Sequence, residues 1–125
     1  MNRINIKVIF LLVFTFSNIK AQEIKVSSSD AILKERIYQE NKEKVSNYSM
    51  KQFDALFFEF FDKKSNLNLV LTKQEFYEYT IQIAIFSDRL AALYPKEKEM
   101  AEKSKKKWFA ESYEDYLLSK ESQKK

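Results

Sequence analysis

The chain has 125 residues and a formal net charge of +4, and it contains no cysteine, no histidine and no glycine. Without cysteine there are no disulfides or thiol chemistry, and without histidine as well the usual ligands of structural zinc and haem are missing. The composition also excludes the usual catalytic triads, the P-loop and the dinucleotide-binding fingerprint. A chain without glycine suits helices joined by simple turns, and residues with positive φ should be rare.

The first 21 residues predict a secretory signal peptide. Arg3 and Lys7 precede a nine-residue apolar run, VIFLLVFTF, and Ala21 offers a small residue for cleavage before Gln22. The run is shorter than the about 20 residues that a membrane-spanning helix needs. We therefore expect an exported protein, in the periplasm or the medium, with residues 1–21 removed; an uncleaved anchor is the alternative.

Removal of residues 1–21 changes the charge balance. That segment holds three bases and no acid, so the remaining 104 residues carry 19 bases against 18 acids. A nearly neutral chain gives no electrostatic case for nucleic-acid binding. About a hundred residues form one domain with a modest core. We expect a flexible leader at 22–29, a helical domain at 30–120 and a frayed tail at 121–125.

A first helix is expected from Asp30 to about Ser46. Its apolar stripe consists of Leu33, Ile37 and Val45. Either Ser29 or Asp30 can cap its N-terminus. The other positions are mostly charged, Lys34 among them, so we expect a solvated and weakly amphipathic helix.

A second, aromatic helix is expected to begin after a capping box and to run to about Lys63. In that box the Ser49 hydroxyl and the Gln52 side chain satisfy backbone amides reciprocally. The phenylalanines of this helix are Phe53, Phe57, Phe58, Phe60 and Phe61. All except Phe58 share one face, which we interpret as core, with a face exposed to a partner as the alternative.

Two further helical segments follow. A capping box formed by Thr72 and Glu75 begins a third helix, which runs to about Tyr94 and has a wide apolar face; Pro95 then ends or kinks it. A fourth segment from Lys96 to about Lys120 has a charged first half, whose projection from the core we leave open. Its second half should dock on the core through Trp108, Phe109, Tyr113, Tyr116 and Leu117. The sequence thus predicts an all-α bundle of about four helices, with the core on the second and third.

The connection between the second and third helices matches a known pattern at its two ends. Phenylalanines precede Asp62 at the spacing that an entering helix uses, and the residues up to Glu75 match the end of a calcium loop. The helix–loop–helix at 50–94 therefore resembles the EF-hand family. By this resemblance Asp62 is the first calcium ligand and Glu75 the bidentate last one. Between them, Asn66 and Asn68 can donate carbonyl oxygens.

The loop itself departs from the family's pattern. Asp62 to Glu75 spans 14 residues without glycine, whereas an EF-hand loop has about 12 with a glycine near its middle. The lysines at 63, 64 and 73 outnumber the two carboxylates, so the field opposes a divalent cation. We therefore predict a degenerate loop without useful calcium affinity, whose Leu67, Leu69 and Leu71 tuck onto the core or pair as a short strand. A calcium-responsive protein is kept as an alternative.

No motif selects a catalytic or cofactor-binding residue. The acids that could form a catalytic pair on neighbouring helices are Glu59, Asp62, Glu75, Glu78 and Asp88. A small carboxylate-dependent hydrolase is therefore a further alternative, although solvated faces and helix caps also explain these acids.

The basic residues of 103–109 lead into Trp108 and Phe109, a pattern that suits an anionic membrane surface and equally suits a soluble helix. We favour the soluble helix because acids nearby offset the lysines. By elimination, the sequence predicts a non-enzymatic binding module without a cofactor. Its expected partner is a protein or an envelope component.

Overall fold

The computed structural model describes residues 28–123. Within them the chain forms five α-helices and no strand: α1 (Ser28–Ser46), α2 (Met50–Ser65), α3 (Lys73–Leu93), α4 (Lys98–Phe109) and α5 (Tyr113–Gln123). A 3₁₀ turn, Pro95–Glu97, connects α3 to α4. The predicted all-α bundle is confirmed, and none of these helices is long and apolar enough to cross a bilayer. The predicted signal peptide lies outside the described residues.

Helix α3 is the centre of the bundle, because α1, α2, α4 and α5 all pack against it. Every side chain from Thr80 to Ser87 is buried, which covers two full turns. A helix that is buried on all sides must be surrounded by other elements rather than lie on a surface. Over these two turns the helix is therefore enclosed on all sides, whereas the sequence predicts one wide apolar face.

The predicted capping boxes begin α2 and α3. The Gln52 amide donates to Ser49 Oγ over 3.1 Å, and the Ser49 amide donates to Gln52 Oε1 over 2.8 Å. Thr72 and Glu75 repeat this arrangement at 2.9 and 3.1 Å. These hydrogen bonds confirm both predicted helix starts. The starts can be predicted from sequence because each capping box lies within four residues.

Helix bounds elsewhere differ slightly from the sequence expectations. Helix α1 begins at Ser28, inside the predicted leader, and α5 continues to Gln123, inside the predicted tail. No residue in the described range has a positive φ, as expected for a chain without glycine. Of the loop leucines expected to tuck onto the core, Leu71 is buried and Leu67 is exposed.

The aromatic face of α2 joins three helices. Phe53, Phe57 and Phe60 are buried, which supports their interpretation as core. The Phe53 ring stacks on Phe86 of α3, with centroids 4.3 Å apart, and the Phe60 ring lies 5.9 Å from Trp108 of α4. Rings this large hold α2 to its neighbours mainly by side-chain contact.

The prediction that Phe61 belongs to this buried face is wrong. Its side chain is 41% exposed, and Phe58 is 52% exposed. Phe53, Phe57 and Phe60 follow the spacing i, i+4, i+7 of one narrow stripe, and Phe61 lies one residue, or about 100°, beyond it. The buried stripe of α2 is therefore narrower than the phenylalanine pattern indicates.

The predicted fourth helix is two helices with a break at 110–112. The carbonyl of Phe109, the last residue of α4, accepts a 2.7 Å hydrogen bond from Lys34 of α1. At the start of α5, the Tyr113 amide donates to the Tyr77 hydroxyl over 2.9 Å, and Ser112 Oγ accepts from the Asp115 amide. Backbone groups at the break are thus satisfied by side chains, which stabilises two helices in place of one.

The charged first half of the fourth segment does not project from the core. Ala101 and Ser104 of α4 are buried against α3, and the Ser87 hydroxyl of α3 donates to Ser104 Oγ over 3.3 Å. Small side chains let the two helices approach closely. The charges of α4 remain on its outer side, where Lys105 pairs with Asp88 at 2.9 Å.

Candidate functional site

The predicted calcium candidates lie at the ends and in the middle of the α2–α3 loop, residues 66–72. Asp62 and Asn68 are exposed. Asn66 Oδ1 accepts a hydrogen bond from the Asn68 amide, and Glu75 Oε1 accepts one from the Thr72 amide. Local turn and capping contacts therefore use two of the four candidate side chains. Within residues 28–123, no group of three or more carboxylates is placed to hold a metal ion.

A lysine ammonium binds the carbonyl oxygens of this loop. Lys120 of α5 is only 3% exposed, and its Nζ donates to the carbonyls of Lys64 and Asn66, each over 2.6 Å. These carbonyls lie at the C-terminal end of α2, where the helix dipole favours a positive charge. An EF-hand loop offers backbone carbonyl oxygen to calcium; in this loop, a cation of the chain itself binds two such oxygens.

Two tyrosines fasten α5 to the same loop. The Leu71 amide donates to the Tyr116 hydroxyl over 2.9 Å, and the Tyr113 hydroxyl donates to the Leu71 carbonyl over 2.6 Å. Together with Lys120 they form the inner face of α5, at positions i, i+3 and i+7. Both tyrosines were predicted to be core residues from the sequence; Lys120 was not, although its helical spacing from them places it on the same face.

An ionic cluster around the buried side chains of Asp30 and Lys34 joins α1 to α3. Asp30 accepts hydrogen bonds from the Lys73 ammonium at 2.7 Å and from the Tyr77 hydroxyl at 2.8 Å. Lys34 is also buried, with its Nζ 5.0 Å from the centroid of the Tyr77 ring. The expectation of a solvated Lys34 is therefore wrong, and the Asp30 carboxylate binds α3. Two charged residues spaced i, i+4 on α1 face inward because α3 and the α4–α5 break supply partners for both.

The protonation of this cluster follows from its burial. Burial lowers the pKa of the Lys34 ammonium, and the charges of Asp30 and Glu111 oppose the shift. Burial raises the pKa of the Tyr77 hydroxyl, so that it stays protonated and donates to Asp30. The pKa of Glu111, in the α4–α5 break, is also raised by burial, against the charges of Lys64 and Lys34. Of these groups, Lys34 holds α1 to the end of α4 and Tyr77 holds α3 to α1 through their hydrogen bonds.

Most acids considered for hydrolase chemistry have surface partners. Glu59 accepts from the Tyr79 hydroxyl at 2.8 Å and pairs with Lys63 at 3.3 Å. The hydrogen bond from Tyr79 lowers the pKa of Glu59, which is the opposite of what a general acid needs. Glu78 accepts from a glutamine one turn away, Asp88 pairs with Lys105, and Glu75 caps α3.

An open groove of about 600 Å³ lies beside α5, at the end of the α2–α3 loop. It is lined by Val70, Glu114, Leu117, Leu118, Lys120 and Glu121. Leu118 is 66% exposed, and Val70 and Leu117 are exposed as well. The prediction that Leu117 docks on the core is therefore wrong, because the break at 110–112 turns the Tyr113–Tyr116 side of α5 inward. The sequence carries a sign of this groove: positions 114, 117, 118 and 121 follow a second helical stripe on α5.

Comparisons with protein-family models, with curated proteins and with solved structures found no match to this chain. The three sites differ in their chemistry. In the ionic cluster the buried Asp30 carboxylate accepts from Lys73 and Tyr77, and the loop carbonyls of Lys64 and Asn66 accept from Lys120. Of these three sites, the groove is the one that presents apolar side chains to solvent, and it is the candidate binding site.

Proposed function

We propose that this protein is an exported, non-enzymatic binding module, and that a protein or an envelope component docks at the groove beside α5. The observation that carries the proposal is that three exposed apolar side chains line that groove: Val70, Leu117 and Leu118. Contiguous exposed apolar surface on a protein marks an interaction site.

Two features of the sequence support the rest of the proposal. The basic start, the short apolar run and Ala21 are typical of a secretory signal peptide, which supports export. The chain lacks the histidine and cysteine of common catalytic groups, and most of the candidate acids on α2 and α3 have local partners. These partners favour neither a carboxylate-dependent hydrolase nor a calcium-responsive protein.

The proposal is tested by capture from an envelope extract on the immobilised protein. The double variant Val70→Ser and Leu118→Ser changes only exposed side chains that line the groove, so it should keep the parent's melting temperature and lose the captured partner. Leu93→Ser is the matched control, since Leu93 is also exposed but lies at the far end of α3, about 30 Å along that helix from Lys73. Equal capture by the parent and the double variant, or no saturable capture by the parent, contradicts the proposal.

A further inference from the structure

The shape and charge of the groove identify a kind of partner. We propose that it binds an amphipathic helical segment of another protein, with apolar residues in the middle of one face and lysine or arginine at both ends of that face. The inference rests on the proposed function as a binding module and specifies the chemistry of its partner.

The outer stripe of α5 has an apolar centre and acidic ends. Leu117 and Leu118 lie in the middle, and Glu114 and Glu121 lie one turn away on either side. Four residues spaced i, i+3, i+4, i+7 span about 10 Å along a helix. Val70 forms the opposite wall. A groove of this form accepts the apolar side of a partner helix over about two turns.

The charges at the rim are opposite in sign to those of the chain as a whole. The full sequence carries a net charge of +4, yet helix α5 has three carboxylates, Glu114, Asp115 and Glu121, all exposed. The single basic residue of this helix is Lys120, whose ammonium binds the loop carbonyls on the inner side. The rim therefore attracts basic side chains and repels an anionic membrane surface.

The groove is formed before any partner arrives. Tyr113, Tyr116 and Lys120 hold the inner side of α5 to the α2–α3 loop, which also supplies Val70. The same contacts thus position α5 and Val70, which together line the groove. A preformed groove avoids the entropy loss of ordering a loop on binding, so a short partner segment is enough.

The test uses two labelled peptides and measures binding by fluorescence anisotropy. Both have leucines at i, i+3, i+4 and i+7; one has lysines at each end and the other has glutamates there. The parent should bind the lysine peptide about tenfold more tightly than the glutamate peptide. Leu118→Ser should weaken binding of the lysine peptide about tenfold at an unchanged melting temperature, whereas Leu93→Ser should bind like the parent.

Charge reversal gives the decisive comparison. The double variant Glu114→Lys and Glu121→Lys should prefer the glutamate peptide, an exchange that a purely structural role of these exposed residues does not produce. Deleting Lys124 and Lys125, which follow α5 in the sequence, should leave the exchange in place. A parent that does not discriminate between the peptides, or a preference that is not exchanged, overturns the proposal.

Two other occupants would give different results. Binding to anionic vesicles that is lost in Leu118→Ser would identify a membrane surface, and a dimer in sedimentation that Leu118→Ser dissociates would identify a second copy of the chain; either result overturns the proposal. If neither peptide binds but capture from the extract still depends on Val70 and Leu118, the partner chemistry is wrong and the binding module stands. If the peptides bind as expected but the extract yields no partner, the proposed function fails instead.

Discussion

Within residues 28–123, two lysines are buried, and both donate to backbone carbonyls at the C-terminal end of a helix. Lys34 reaches the carbonyl of Phe109 at the end of α4, and Lys120 reaches those of Lys64 and Asn66 at the end of α2. A positive charge at a helix C-terminus is favourable, and the hydrogen bonds offset its desolvation. Sequence spacing does not reveal which lysines of a lysine-rich chain find such carbonyls, so neither was predicted.

Removal of a buried ring from α2 should destabilise the whole bundle. Phe57 is 3% exposed and its ring contacts Trp108 of α4. Phe57→Ala should lower the free energy of unfolding by about 3–5 kcal/mol, because it leaves a cavity that the surrounding rings fill only in part. Denaturant unfolding followed by circular dichroism measures this loss.

Phe58 is the matched control for this substitution, since it is the next residue and is half exposed. Phe58→Ala should change the free energy of unfolding by no more than about 0.5 kcal/mol. If Phe57→Ala unfolds like the parent while Phe58→Ala is destabilised, the buried face of α2 has been assigned to the wrong residues.

Because of Glu111, the free energy of unfolding should fall as the pH rises. Burial raises the pKa of this carboxyl above its ordinary value of 4.5, so the folded state holds the proton to a higher pH than the unfolded state. The resulting stabilisation is fully present below pH 4.5 and is lost as the pH rises through the higher pKa of the folded state. Glu111→Gln should remove this loss, and its free energy of unfolding relative to the parent should increase between pH 4.5 and neutrality. A constant difference across that range would contradict the assignment.

At the scale of helices, the sequence predicts what is determined locally. The capping boxes and the buried apolar faces of α2 and α3 follow from residues a few positions apart. The break between α4 and α5 follows only in part: Ser112 Oγ accepts from the Asp115 amide three residues on, but the partners Lys34 and Tyr77 lie 75 and 36 residues away along the chain. The groove was missed for the same reason: Leu117 and Leu118 turn outward only when Tyr113, Tyr116 and Lys120 turn inward.

Lys120 should contribute more to stability than any exposed lysine. Lys120→Met keeps the aliphatic stem but removes the donor to two carbonyls, so we expect a loss of about 1.5–3 kcal/mol in the free energy of unfolding. Lys103→Met, at an exposed position of α4, should be neutral. Hydrogen exchange should also show faster exchange at the Leu71 amide in Lys120→Met. Unchanged protection there would mean that Lys120 does not hold α5 to the loop.

Calcium should not bind the α2–α3 loop with useful affinity. The Lys120 ammonium already binds two loop carbonyls, and Glu75 caps α3. Isothermal titration below millimolar calcium should show no saturable heat. Saturable heat that disappears in the double variant Asp62→Ala and Glu75→Ala would prove this prediction wrong.

At the scale of the whole molecule, the other four helices described pack around an enclosed α3, and polar side chains such as those of Asp30 and Lys34 are buried inside this bundle. The fold class follows from composition and helical periodicity, which are properties of the whole chain. The site does not, because it depends on which side of one short helix faces out. That choice is made by side chains from α1, α3 and α5 acting together.

The N-terminus of the exported protein should be at or near Gln22. The basic start, the apolar run at 8–16 and Ala21 together predict cleavage there. Intact-mass spectrometry of the exported protein measures the site directly. A mature form that still begins with Met1 would show that the segment acts as an uncleaved anchor.

The break at 110–112 between α4 and α5 has a consequence for the order of folding. Two of its backbone groups, the Phe109 carbonyl and the Tyr113 amide, gain side-chain partners only after Lys34 of α1 and Tyr77 of α3 are in place. Residues 98–123 contain no glycine or proline that would interrupt a helix on their own, so local propensity alone favours a longer, continuous helix there. We therefore expect the break to become fixed late in folding, after the first and third helices have met, and not to belong to the folding nucleus.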